Sequence, residues 1–396
     1  MSSAVQSPVT IPGAKGHTDG AGAFVPVQTR SARPWSFDPA DFEAPAGFEV
    51  NWKHTPIARL VPLFVDEAGP HGVIDVTVSA PASVQQLELK VGEAPRGEVF
   101  RPEDLPSAIA WAQEPVAPLV RIPAGVELDE PVVIDLVGTP GLAHAHVVIE
   151  AQANSRGTVL LRHRGTATHA QNLEIIVRDG ANLDVVSVQE WEDDAIHVSA
   201  HQARVDKDAK LRHIVVSFGG GVVRVNPSVE LAGTGSEAEL FGLSYSDSGQ
   251  HLESQVYLHH KGAHTKGDVL YKGALQGSGA RSVWIGDVLI GPDATGTDSY
   301  EANRNLVLTD GARAESIPNL EIETGDIQGA GHASATGRFD DEQLFYLQAR
   351  GIDEEQARRL VVLGFLAEIV QKIGIPDLEE ELFAAIEVEL TRGAEL

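Results

Sequence analysis

Asp179-Gly180-Ala181-Asn182-Leu183-Asp184-Val185-Val186 is a polar turn that runs straight into an apolar, β-branched stretch. The plan returns as Lys207-Asp208-Ala209-Lys210-Leu211-Arg212-His213-Ile214, and again as Ser236-Glu237-Ala238-Glu239-Leu240-Phe241. With the alanines aligned at 181, 209 and 238, the steps are 28 and 29 residues. Gly311-Ala312-Arg313-Ala314 is a weaker echo. A turn and a strand repeated at that period mark a solenoid, in which each coil hides its apolar side only by stacking on its neighbours. Outward from this stretch, short β-branched runs at residues 73–78, 132–137 and 147–149 carry strand signals across residues 72–328. About 28 residues per repeat predicts roughly nine coils. An antiparallel sandwich with similar turns is the competing reading.

The flanks differ from this core. Residues 1–30 are rich in Gly, Ser, Pro and Thr and are expected to form a disordered tail. Residues 31–71 read as a helical or irregular segment, broken where Pro56 biases Thr55 away from helix. Residues 329–396 read as a histidine loop followed by an α-helical domain. Asp340 can N-cap a helix ending near Arg350, with Gly351 as its C′ residue. Asp353 and Gln356 make a capping-box pattern for a helix to about Lys372, stopped by Gly374. Pro376 suits the first turn of a third helix, with Leu378, Leu382, Ile386 and Leu390 as its apolar stripe. The predicted fold is mainly β: a right-handed parallel β-helix core between an N-terminal irregular segment and a C-terminal helical domain.

Composition excludes several functions. The chain of 396 residues has 57 acidic and 30 basic side chains, a formal net charge of −27. Such a surface repels phosphate backbones and anionic lipids, so neither nucleic acid nor membrane is an expected partner. There is no cysteine, hence no disulfide and no thiolate for an iron–sulfur cluster. No secretory signal is visible, and the apolar stretch at 360–370 is short for a membrane span and carries Glu368. A cytoplasmic location is expected. Gly219-Gly220-Gly221 lacks the lysine of a phosphate-binding loop, Gly277-Ser278-Gly279-Ala280 lacks its strand-to-helix context, and no GxSxG elbow occurs. The chain is expected not to be an enzyme.

Among the 15 histidines, His197/His201 and His259/His260/His264 invite a metal reading. Strand residues i and i+4 lie about 13 Å apart, too far for one ion. Both groups are therefore read as polar positions on the outer face of the solenoid. His332 sits among Gly329, Ala330, Gly331, Ala333 and Ser334, where a partner can come close. Neutral imidazole is a good iron ligand; the other reading is a loop histidine bonding a backbone carbonyl. The pairs Asp193/Asp194 and Asp340/Asp341 have turn or cap explanations. The acidic residues 379–381 are either a solvated helix face or a docking surface.

Residues 320–368 run Leu-Glu-Ile, a histidine loop, Asp340-Asp341-Glu342-Gln343-Leu344-Phe345-Tyr346-Leu347, Arg350-Gly351-Ile352 and a helix containing Phe365-Leu366-Ala367-Glu368. This resembles the C-terminal signature of the SufB/SufD family of iron–sulfur cluster assembly proteins, and Trp52-Lys53-His54-Thr55-Pro56 is similar to an N-terminal family pattern. The missing thiol favours the SufD branch. The resemblance implies a parallel β-helix that pairs with SufB, possible homodimers of the isolated chain, and C-terminal helices that dock the ATPase SufC. It implies no cofactor held by this chain alone, only a transient cluster shared with SufB, with His332 matching the family's interface histidine. Many relatives carry cysteine where Ala330 stands, and the loop here has about one extra residue before His332. Leu360, Phe365, Ile369, Leu382 and Phe383 are the candidate SufC-docking ridge. The rivals are a carbohydrate-active β-helix enzyme and a histidine-based metal-binding protein.

Overall fold

The computed structural model describes residues 34–65, 72–338 and 341–394. The expected tail at 1–30 and the Asp340 cap lie outside them. Strands in chain order are β1 (Ile74–Ser79), β2 (Gln85–Lys90), β3 (Val116–Ile122), β4 (Val132–Gly138), β5 (Leu142–Ala151) and β6 (Arg156–Gly165). Next come β7 (Thr168–Val177), β8 (Asn182–Trp191), β9 (Ile196–Val205), β10 (Lys210–Ser217), β11 (Val222–Leu231) and β12 (Glu237–Ser246). The last six are β13 (His251–His260), β14 (Lys266–Leu275), β15 (Arg281–Ile290), β16 (Thr297–Val307), β17 (Arg313–Ile322) and β18 (Ile327–Arg338). The α-helices are α1 (Ile57–Leu60), α2 (Leu105–Gln113), α3 (Asp341–Gln348), α4 (Glu354–Val370) and α5 (Pro376–Ala394).

Even-numbered and odd-numbered strands from β3 onward sort into two nine-stranded sheets, with β1 joining the even set and β2 the odd: β1-β4-β6-β8-β10-β12-β14-β16-β18 and β17-β15-β13-β11-β9-β7-β5-β3-β2. From β3 onward every neighbour is parallel, so the chain climbs a flattened β-solenoid and the sandwich reading falls. There are about eight turns, one fewer than expected. The difference lies at the start, where β1 pairs antiparallel with β4 and β2 with β3. These two six-residue strands form the sheet edges at that end instead of adding a coil, short antiparallel edges in place of a full parallel coil.

The repeat is real but its second step is shorter than the alanine alignment implied. Lys210 pairs with Asn182 and with Glu237, so Leu211 stacks between Leu183 and Ala238. The structural steps are 28 and 27 residues, and Ser236, not Ala238, follows Ala209. Between the sheets, alternate residues of every coil meet in one apolar column that includes Val120, Ile149, Ile175, Val185, Val205 and Leu240.

Both outer faces are also covered, which explains why these strands read as near-continuous apolar runs. Trp52, Leu60 and Leu63 pack on Ala170, Val198 and Val222 of the odd-strand sheet. Helix α2 begins with a reciprocal cap between Asp104 and Ser107 and is buried nearby. On the even-strand sheet, Val362, Leu366, Ile369, Leu378, Leu382 and Ile386 of α4 and α5 pack on Val186, Val188, Ile214, Val216, Phe241 and Leu243. The helix signals hold in detail: Asp353 accepts from Gln356 N at 2.9 Å, Gly351 and Gly374 take positive φ, and α5 starts at Pro376. No helix among the described residues is long and apolar enough to cross a membrane.

Candidate functional site

His332 does not lie in a loop. It is in mid-β18, in register with Glu301 of β16 on the last coil, and the expected division at residue 328 falls inside this strand. Gly and Ala disfavour strands intrinsically, so the run Gly329–Gly337 reads as a loop until the β16 ladder supplies its hydrogen bonds.

Alternation decides where the imidazole points. Ala330 packs on the inner apolar column, so His332 and Ser334, two and four residues on, face inward as well. Ser334 Oγ meets Ser316 Oγ of β17 at 2.9 Å, joining the two sheets. The His332 side chain is 46% exposed, because no strand among the described residues stacks beyond β17 and β18. Its Nδ1 lies 3.8 Å from Glu301 Oε1.

Glu301 is unusual. It is 1% exposed, and neither carboxylate oxygen has a hydrogen-bonding partner of ordinary geometry. Burial pushes its pKa up to about 8; the Asp287 carboxylate adds to this, and the Asn319 backbone opposes it. Space for the carboxylate is made by Gly286, where a Cβ would lie 2.3 Å from Glu301 Oε2. Sequence reading missed Glu301. The signal available was its place one coil before His332, visible only once the strand register is known.

The histidine groups read as outer-face residues are mostly interior. His197, His201 and His260 are fully buried; His259 is partly buried, and His264 occupies a turn with φ 56°. His197 does not pair with its i+4 neighbour. It stacks on His169 one coil away, with ring centroids 4.9 Å apart, and meets His163 at a tilt with centroids 5.1 Å apart. Trp191 Nε1 donates to Gln189 Oε1 at 2.9 Å, and His163 contacts Gln171 Oε1 at 2.8 Å. His201 and His213 approach at 3.0 Å. Burial holds His169 at about 3 and His163 and His213 at about 4, with His197 and His201 also well below the ordinary value. These are neutral rings in a polar lane between the sheets. Among the described residues no group of three or more His, Asp or Glu is arranged to hold a metal.

The proposed docking ridge divides. Ile369 and Leu382 are fully buried under α4 and α5 and serve the chain's own core. Phe365 and Phe383 are half-buried against the same cluster, and Lys272 Nζ lies 4.7 Å from the Phe365 ring. Leu360 on α4 is 48% exposed, and Phe345 and Tyr346 on α3 are exposed as well. The carboxylate pairs are structural where described: Asp194 accepts from Thr166 Oγ1 at 2.6 Å in a turn.

With this geometry in place, comparison decides the family. The model of the SUF system FeS cluster assembly SufBD core domain matches residues 136–365, more than half of the chain. The chain belongs to the SufBD family. An iron–sulfur cluster assembly SufBD family protein of Mycobacterium bovis is 50% identical over 364 residues, covering 90% of this chain and 91% of its own. A SufBD family protein of Mycobacterium leprae is 48% identical over the same span, covering 93% of that relative. The iron–sulfur cluster assembly protein SufD of Escherichia coli is 27% identical over 293 residues, 72% of this chain and 67% of that one. The match to the SufBD core spans the solenoid from β4 through β18 and runs into α4, so His332, Glu301 and the buried histidine lane all lie within it.

Proposed function

We infer that this SufBD protein is a SufD-like subunit, non-catalytic on its own, that pairs with SufB through the solenoid and docks the ATPase SufC through its C-terminal helices. The observation that carries the reading is an unfinished solenoid end, with His332 exposed on its last coil, in a chain without cysteine. An edge strand offers unpaired N–H and C=O groups to another strand. The imidazole on that edge can ligate iron, while any thiolate must come from the partner. Iron and the cluster are cargo here, shared transiently at the interface. Leu360, with the half-buried Phe365 and Phe383, is the part of the ridge left for SufC.

The test is co-expression with candidate SufB and SufC partners, comparing wild type and His332→Ala. The reading expects a stable complex with both, and less cluster in the variant. An intact complex with unchanged cluster would confine the chain to structural and ATPase-docking roles. Failure of any complex to form would overturn the reading.

A further inference from the structure

We propose that Glu301 and His332 form a two-residue half-site for a divalent iron ion in the mouth of the last coil, the carboxylate serving as a protein ligand beside the imidazole. The inference rests on the reading of His332 as an iron-contacting residue and adds a ligand to it.

Three observations point the same way. A carboxylate buried to 1% exposure, with no hydrogen bond of ordinary geometry and only the Asn319 backbone close by, is costly as an anion; a proton relieves it in the free chain, and a cation would take the proton's place. The 3.8 Å between Glu301 Oε1 and His332 Nδ1 is too long for a hydrogen bond. Ligand atoms about 2.1 Å from one ion sit roughly 3.0–3.5 Å apart, so a small rotamer adjustment brings this pair into a shared shell. Finally, the carboxylate occupies a notch that only glycine at 286 leaves open; a Cβ there would stand 2.3 Å from Oε2 and 2.4 Å from the Trp284 ring. The inner end of the site is thus shaped by the strands, while the outer end opens at His332. Carboxylate and imidazole together suit Fe²⁺, and the remaining positions fall to water or to a partner's ligands.

The experiment is an anaerobic calorimetric titration of the full-length chain with Fe²⁺, using wild type, Glu301→Gln, His332→Ala and the double variant. Wild type is expected to bind one ion. Each single variant should lose about tenfold or more in affinity, and the double variant less than the product of the two losses, because both act on one ion. Glu301→Gln should keep the wild-type melting temperature or exceed it without iron, which separates lost ligation from lost fold. Wild-type affinity in Glu301→Gln, or no binding by wild type, overturns the half-site. Neither result bears on the assembly role, which stands or falls on complex formation.

Discussion

Arg224 and Glu253 lie side by side under the N-terminal segment, both fully buried. The guanidinium donates through Nε to Glu253 Oε1 at 3.0 Å and through Nη2 to Asn51 O at 2.8 Å, and it stacks 3.9 Å from the Trp52 ring. Burial would raise Glu253, but hydrogen bonds from His251 and Gln255 and the charge of Arg224 hold it at about 2. Arg224→Met should therefore leave a buried carboxylate without its cationic partner, still hydrogen-bonded by Thr55 and Gln255, and cost about 3–5 kcal/mol, read from urea unfolding at pH 7. The histidine lane makes a prediction on the acid side of the pH scale. Rings held at about 3 to 4 in the fold but free to protonate near 6.5 when unfolded make the unfolded state the better proton binder below 6.5. Stability should fall as pH drops from 6.5 toward 4, by at most about 1.4 kcal/mol per unit for each ring. His169→Gln should flatten the urea midpoint against pH over that range; an unchanged slope would show that the ring is not neutral in the fold. The lane was not legible in the sequence, because strand alternation says which residues share a face but not which face is inner. His169 and His197 are 28 residues apart, the repeat step itself, and that spacing was the available clue.

Among the elements, α4 and α5 matter most for stability, since they roof the even-strand sheet. Leu382→Ala should cost about 2–5 kcal/mol and expose that face, seen as an earlier melt and dye binding. Leu360→Ala, at an exposed position, should change stability by no more than about 0.5 kcal/mol. If Leu360 contacts SufC, the same change weakens SufC capture in a pull-down; equal capture would remove Leu360 from the docking surface. These helices were readable because their caps and breakers are local: Asp353 with Gln356, Gly374 and Pro376 act within a few residues. Strand β18 was not, because its Gly/Ala run has no local preference and owes its form to pairing with β16. The split between core and ridge was equally hidden, since Ile369 and Leu382 look like any apolar helix residue until the sheet beneath them is known.

For the molecule as a whole, a stack of coils that touch only their neighbours should be most resistant in its middle and least at its free end. Hydrogen exchange read by mass spectrometry should show the slowest amides in β8–β13 and the fastest strand amides in β17 and β18, with protection of β18 rising on addition of SufB if the proposed pairing uses that edge. Uniform protection along the stack would argue against nearest-neighbour stability. The antiparallel strands β1 and β2 also set a valency. The two ends of the rod differ: β1 and β2 are short antiparallel edges, β17 and β18 long parallel ones, so pairing of two long ends uses both up and leaves only the short edges outermost. Growth by this route stops at a pair, and a fibre continued as parallel coils would first have to displace β1 and β2.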